Sequence, residues 1–479
     1  MITRIEIDGF KTFRCFVMEF SPLTVVAGAN ASGKSNLFDA LNLMSRLATH
    51  DLRSAFNEQR GEPLEQFTIF SNSDISEKVS FAVELLVDRK IKDNWGGEAI
   101  LKYTRLRYEL IIKRERSSKG FEDLYVEKES LIPLRHDEDI WVKKHLPKKL
   151  TDTWRPKVKT GKRGIPYILT EDKNGKLTIR VPLDGKPGVG KELPAIAITQ
   201  TVLSGINSVE FPHVFAAKQE IQNWNFLQLN PEELRKPSPR MAADVITQSG
   251  ANLASCLFRI KTDDETLLKD ISRQLNNLLP NFVKVDVEED LAGNQFVIKV
   301  YNEDGRQFSS RILSEGTLRL LTLCVLKYDN YNKGVLCFEE PENGIHPFRL
   351  RMMINLLSDL TTDFNDIEDP ILPLRQVIIN THSPVLINDI FGIENPNITI
   401  WFSQLVSQIT KIGNNPNDSK VKFRATKILP VIMPINKLNK NYQFDFVTKK
   451  EEELTLNEVI NYLSSSDFEG RKKQFFENE

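Results

Sequence analysis

The sequence predicts an α/β fold with a β-rich flank, a helical insertion and no long coiled coil. Three observations predict it. An apolar strand at residues 23–27 runs into the glycine-punctuated turn Gly28-Ala29-Asn30-Ala31-Ser32-Gly33-Lys34-Ser35, and helical spacing follows at Leu37, Leu41, Met44 and Ala48. Two further apolar strands, Val335 to Phe338 and Val377 to Ile379, each run into polar residues. Between residues 85 and 300 no heptad pattern is sustained.

In chain order, residues 2–7 alternate as a strand and 23–27 form the strand entering the turn. Residues 1–80 are expected as the N-terminal part of the α/β unit. Phe81 to Val87, Tyr103 to Ile112 and Leu124 to Leu134 read as strands joined by Lys-rich, Gly/Pro-punctuated segments such as Lys157 to Gly164 and Asp184 to Gly188, giving a β-rich segment over 81–194. Residues 195–280 turn helical, with a proline-broken patch at Arg235 to Pro239. A strand pair, Phe282 to Val287 and Gln295 to Tyr301, completes the insertion over 195–300. The C-terminal part of the α/β unit is expected over 301–395. A tail over 396–479 holds a polar loop near 413–420 and a helix around Leu454 to Leu463, and offers surface to partners.

Composition excludes several classes. Lys+Arg 64 against Asp+Glu 65 gives a net charge of −1, so no global basic excess announces nucleic acid, although local patches remain. There is no apolar run of about 18 residues, so no membrane span is expected. The N-terminus alternates like a strand and has no signal-peptide core. Cys15, Cys256, Cys324 and Cys337 are scattered without a CxxC pair, and Cys324 and Cys337 lie in apolar stretches, which reads as buried thiols in a reducing cytoplasm.

The chemistry sits in four segments. The turn is a GxxxxGKS phosphate loop: Gly28 and Gly33 let backbone amides crowd around phosphates, Lys34 neutralises charge, and the Ser35 hydroxyl binds Mg²⁺. The following helix aims its N-terminal amides at the anion. Gly28, Asn30, Gly33, Lys34, Ser35 and Asn36 form the expected nucleotide-binding set, with ATP and Mg²⁺ as cofactors. Glu339 and Glu340 end a strand; strand residues alternate faces, so the two acids take different tasks. Glu339 is assigned to the metal, although aspartate is usual there, and Glu340 to the attacking water. Ser314-Glu315-Gly316 precedes an apolar helix and offers a hydroxyl and helix-start amides, so Ser314 and Gly316 are expected to contact nucleotide. His382, at the end of its strand, is expected at the γ-phosphate as a catalytic residue, whereas His346 reads as structural. A glutamine linking metal to conformational change is expected between the phosphate loop and the β-rich segment. Gln59 and Gln66 both qualify, and Gln66 is assigned to the metal side.

Assembled, these residues resemble the ABC-type P-loop ATPase heads of the SMC and RecF group. They are most similar to the OLD-type AAA ATPases of prokaryotic anti-phage systems, as in Septu- or PARIS-like ATPase subunits. The matching pieces are Ile7 to Phe13, Gly28 to Ser35, Leu313 to Thr317, Glu339 to Pro347 and Thr381 to Pro384, within residues 1–70 and 300–390. The resemblance implies that the LSxG segment of one protomer caps ATP held by the other. A homodimer would then close around ATP and open on hydrolysis, with Ser314 and Gly316 acting in trans and Asn343 near the seam. Higher assemblies of such dimers are compatible with it. OLD nucleases continue into a Toprim domain that needs an Asp-x-Asp pair. Residues 384–479 contain Asp389, Asp418, Asp445 and Asp467 but no such pair, so this chain is not expected to be that nuclease.

Three functions compete. The first is the ATPase subunit of a two-gene anti-phage system, controlling a separately encoded effector such as a nuclease. The second is a RecF-like repair ATPase that clamps DNA through Lys113, Arg114 and Arg116, Lys148 and Lys149, or Lys157, Lys159, Lys162 and Arg163. The third is an ATP-bound structural scaffold with little turnover.

Overall fold

A six-stranded sheet runs in the order Asn225–Leu227, Gly334–Glu339, Arg375–Thr381, Leu23–Ala27, Ile398–Lys411, Lys420–Pro430. Its first five strands are parallel neighbours, and the last returns as an antiparallel hairpin. The computed structural model describes residues 1–71, 74–116, 120, 122–156, 166–173, 176–183, 190–195, 198–365, 374–393, 395–411, 420–432 and 444–464. The linkers Lys157 to Gly164 and Asp184 to Gly188, most of the polar loop near 413–420, and the basic cluster at Lys157, Lys159, Lys162 and Arg163 lie outside these residues.

Parallel strands are covered on both faces and so carry unbroken apolar runs. Leu23–Ala27 is buried at every position, and Arg375–Thr381 at every position after its first. Alternate residues feed two cores. Val26, Cys337, Ile378 and Trp401 join Leu37, Leu41 and Met44 of helix Lys34–Leu47. Val25, Leu336, Phe338, Val377 and Ile379 join Leu318, Leu321 and Val325 of helix Glu315–Tyr328 and Leu386 of helix Pro384–Phe391.

A second, antiparallel sheet has the order Phe16–Glu19, Ile2–Asp8, Lys78–Leu86, Arg105–Arg116, Glu122–Pro133. Ile5, Ile7, Phe81, Val83, Tyr108 and Leu110 pack into the core of helix Lys34–Leu47, which is therefore held between two sheets. Charged residues of the same strands pair across the sheet. Arg107 grips both carboxylate oxygens of Glu6 at 2.9 and 2.8 Å, and Glu109 lies between Arg107 and Lys128. The Arg107 hydrogen bond holds the Glu6 carboxyl below its usual range.

The element assignments around the motifs match the sequence expectations closely, but three segment boundaries differ. Residue 80 falls inside strand Lys78–Leu86, which pairs with Ile2–Asp8, so the expected N-terminal part and β-rich segment share one sheet. Within the expected helical insertion, Asn225–Leu227 is the edge strand of the central sheet; three residues are too few to show a period. The third correction concerns the expected tail from 396. Ile398 to Phe402 pair in parallel with Leu23 to Ala27, and Lys420–Pro430 returns beside them. Leu23–Ala27 thus has a strand on each side, which satisfies its backbone groups where water is excluded.

Helix Lys449–Ser464 packs on this hairpin through the buried Thr455 and Val459. It starts with a capping box: Glu451 N–H donates to Thr448 Oγ1 at 3.3 Å, and Thr448 N–H donates to Glu451 Oε2 at 3.0 Å. The other oxygen of Glu451 takes the Lys427 ammonium of the hairpin. That hydrogen bond holds the Glu451 carboxyl down at about 2. No helix of the described residues is long and apolar enough to cross a membrane.

Glu129 fastens the segment that follows the β-rich flank. Fully buried, it accepts from the Tyr108 hydroxyl at 3.0 Å and from the N–H groups of Leu203 at 2.8 Å and Val202 at 2.7 Å. Glu129→Ala leaves all three donors without this acceptor, an expected loss of about 3 kcal/mol or more. Urea unfolding checks it, and a loss below about 1 kcal/mol would contradict the fastening role. A second expectation concerns acid. The folded carboxyl of Glu451 titrates below its unfolded value of 4.5, so its stabilisation is complete above 4.5 and is lost as pH falls towards 2. Glu451→Gln should therefore flatten the fall in stability over that window, as read by urea midpoints at successive pH values.

Candidate functional site

The strand register sets the site. Ala27 lies beside Thr381 on one flank and Phe402 on the other, and Glu339 lies beside Asn380. The phosphate loop, the Glu339-Glu340 pair and His382 therefore all leave the sheet at its carboxyl edge, where open α/β sheets bind ligands.

Helix Lys34–Leu47 begins at Gly33, whose φ of 98° is left-handed. No side chain caps this helix and no acidic residue lies in its first turn, so its leading amides suit an anion. Gly33 has a second reason to be glycine: a Cβ there would lie 1.9 Å from Thr426 Oγ1 of the C-terminal hairpin. The hairpin also braces the loop from behind. Ser403 Oγ donates to the Ser32 carbonyl at 2.9 Å, and Thr426 pairs with the Thr12 hydroxyl at 2.6 Å. Lys34 Nζ donates to the carbonyls of Gly28 at 2.7 Å and Ala29 at 2.8 Å. Burial pushes its pKa down while Glu340 and Glu342 pull it up, which places both carboxylates within electrostatic reach of the ammonium. Ala29 and Asn30 are exposed at the loop tip, and Ser35 is half-buried. The side-chain amide of Asn36 donates to Thr12 Oγ1 at 2.8 Å, tying the helix to the N-terminal loop.

Glu340 stands at φ +47°, an uncommon conformation for a non-glycine residue. Such strain costs on the order of 1–3 kcal/mol and persists only where neighbours impose it. Here they do. Its N–H donates to the Asn380 carbonyl at 3.1 Å and to Asn380 Oδ1 at 3.0 Å. Its Oε1 lies 3.0 Å from His382 Nδ1, and its Oε2 accepts from Asn343 Nδ2 at 2.9 Å. The carboxylate is thus fixed in direction beside the histidine. The sequence reading placed Asn343 only near a dimer seam; it is also a clamp on Glu340.

Glu342 was not anticipated as part of this group. It is buried, one oxygen receives the Thr381 hydroxyl, and Oε2 has no hydrogen-bond partner among the described residues. Burial pushes its pKa up. The signal was present in the Glu-Pro-Glu turn, but nothing local said that the second acid faces inward.

A Mg²⁺ ion accompanying ATP fits the donors present. Glu339 is half-buried, and burial, then Asp39, raises its pKa, with Glu340 adding to the rise and Arg60 opposing it. A cation relieves that repulsion. Ser35 and Glu339 would hold it, and it would neutralise phosphate charge. Among the described residues no group of three or more His, Cys, Asp or Glu is placed to hold a metal ion. Gln66 is fully buried, with its amide donating to the carbonyls of Arg60 at 3.0 Å and Glu62 at 3.3 Å. Gln59 donates to Asn42 Oδ1 at 3.2 Å and to the Ala55 carbonyl at 3.3 Å. Both glutamine donors are used locally, and neither is brought to the phosphate loop by a hydrogen bond among the described residues.

Ser314 is exposed and caps helix Glu315–Tyr328, accepting from Thr317 N–H at 3.3 Å. Among the described residues no hydrogen bond links Ser314 or Gly316 to the phosphate loop of the same chain. Gly316 packs elsewhere: a Cβ there would lie 2.4 Å from the Gly344 carbonyl. The LSxG segment therefore leans directly on the turn that begins with Glu340. His346 caps the short turn Pro347–Arg349 by accepting from Phe348 N–H at 3.4 Å, in line with a structural residue. Three cysteines are buried and Cys15 is exposed.

With this geometry in view, two family models match the sequence. One, described as "AAA ATPase domain", matches residues 1–176, and the other, described as "AAA domain, putative AbiEii toxin, Type IV TA system", matches residues 212–388. No curated protein matches. Among solved structures, the head of an SMC protein bound to the C-winged helix domain of ScpA is similar at 14% identity and TM-score 0.45, covering 90% of this chain and 97% of that one. The SMC head domain from Thermotoga maritima gives 12% and 0.35, covering 90% and 99%. The Smc head with an extended coiled coil bound to the C-terminal domain of ScpA, from Pyrococcus furiosus, gives 11% and 0.40, covering 96% and 99%. At these TM-scores the superpositions are loose. The fold and the family models define the class: the chain is a P-loop ATPase with an α/β head.

Gly316→Ala tests the contact between the LSxG segment and the hydrolytic turn. Its φ is not in the left-handed region, so the added methyl acts only by pressing on the Gly344 backbone. The expected cost is about 1–3 kcal/mol of stability, with slowed ATP turnover. Unchanged melting and turnover together would refute the close packing.

Proposed function

We propose that this ATPase closes as a homodimer around ATP and couples hydrolysis to control of a separately encoded effector, a nuclease, in a prokaryotic anti-phage system. Gly28, Gly33 and Lys34 receive the phosphates, Ser35 and Glu339 hold Mg²⁺, and Ser314 of a second copy caps the nucleotide. Glu340 orients the attacking water and accepts its proton, with His382 and Asn343 holding the carboxylate in place. The observation that carries this reading is the contact of Gly316 with Gly344. It gives a cap seated on a partner's nucleotide a direct mechanical route to Glu340 in its own chain. Exposed Ile312 and Phe348, at 68% and 88%, flank that segment and suit burial against a second copy.

The defence-system reading draws on the description of one matching family model as a putative AbiEii toxin of a Type IV TA system. The DNA-clamp alternative has less support. Arg114 is committed to the carbonyls of Ser76 and Ile75 and to Glu122. Lys113, Arg116, Lys148 and Lys149 remain as candidate contacts.

Glu340→Gln with ATP and Mg²⁺ is the test. It should bind ATP, hydrolyse it on the order of 100-fold more slowly, and accumulate as a dimer that Ser314→Arg prevents. Full turnover would move the water-orienting role elsewhere, and association indifferent to Ser314→Arg would refute capping in trans. The same trapped variant, tagged and recovered from its host, should carry a stoichiometric second protein. Recovery of salt-sensitive nucleic acid with no protein would favour the DNA clamp.

A further inference from the structure

We propose that helix Lys449–Ser464 is part of the hydrolysis site, with Tyr462 acting as a positioning residue for His382. The Tyr462 hydroxyl donates to the backbone carbonyl of His382. This contact spans 80 residues of sequence and comes from an element the motifs do not include. The inference rests on the assignment of Glu340 and His382 to hydrolysis and adds to it a third element that aims the pair.

His382 sits at a strand-to-helix junction, where little in the backbone itself holds an orientation. Three anchors surround it. Thr381 donates its hydroxyl to Glu342 and accepts from Ser383 N–H at 2.9 Å. Ser383 caps helix Pro384–Phe391 by accepting from Leu386 N–H at 3.3 Å. Tyr462 supplies the third, on His382 itself. The imidazole then meets Glu340 Oε1 at 3.0 Å, so a small rotation of the junction changes that contact directly.

Tyr462 is itself held. Its ring meets Phe402 edge-on at 5.5 Å, and Phe402 lies beside Ala27 at the mouth of the phosphate loop. At the other end of the helix, Glu451 binds Lys427 of the hairpin that braces Gly33. Burial, then the nearby Glu342 carboxylate, pushes the Tyr462 phenol up to about 12, so it stays a hydrogen-bond donor at neutral pH. One helix therefore touches the hairpin that braces the phosphate loop and the histidine that faces Glu340.

Steady-state ATP hydrolysis by the full chain tests this. Tyr462→Phe keeps the ring against Phe402 and removes only the donor. It should lower kcat roughly 3- to 10-fold, the worth of one hydrogen bond, with KM for ATP and the melting temperature little changed. Combined with His382→Ala it should add nothing to the loss caused by His382→Ala alone, because Tyr462 acts through that residue. Glu451→Gln, remote from the chemistry, should lower kcat in the same direction by loosening the helix. Wild-type kcat in Tyr462→Phe, or losses that multiply in the double variant, would overturn the inference while slow His382→Ala left the site assignment standing. Wild-type turnover in His382→Ala would overturn the assignment itself, and the inference with it.

Discussion

The pairing of Leu23–Ala27 with a parallel strand on each side is the constraint on which the rest depends. Arg375–Thr381 and Ile398–Lys411 both run alongside it, so its backbone groups are satisfied within a dry core. That register places the ends of three strands level. The phosphate loop, the Glu340 turn and His382 then meet without any of them reaching across the sheet. A slip of one residue in either pairing would exchange the two cores and scatter the edge.

The charge at this edge is arranged with little slack. Glu340 and Glu342 lie within electrostatic reach of the buried Lys34, and Glu339 within reach of Asp39 and Glu340. Burial raises the pKa of Glu339 and Glu342, so part of the cost of this acid cluster is carried by the protein. A cation and the amides of the phosphate loop would oppose it with nucleotide bound. Glu340 sits in a left-handed conformation between Asn380, Asn343 and His382, so its direction is set before any substrate arrives.

The C-terminal hairpin changes the meaning of the phosphate loop. Thr426 lies where a Gly33 side chain would be, and Ser403 binds the Ser32 carbonyl. Gly33 is therefore glycine both for its φ and for the strand behind it. Asn36, adjacent to Ser35, spends its amide on Thr12 and so links the same helix to the N-terminal loop. The loop is supported by residues drawn from both ends of the described chain.

What the sequence by itself determined are the features written in consecutive residues. The phosphate loop was legible because its function needs successive amides, a lysine and a hydroxyl in one short stretch. The Glu339-Glu340 pair and His382 were legible because each ends an unbroken apolar strand. What only the tertiary structure decided is everything set by contacts between distant segments. The inward turn of Glu342 onto Thr381 and the reach of Tyr462 to His382 have no local period or spacing to betray them. The strand at 398–411 is the same case on a larger scale: its partner cannot be read locally, because parallel neighbours are joined by long crossovers rather than by a turn that fixes their register.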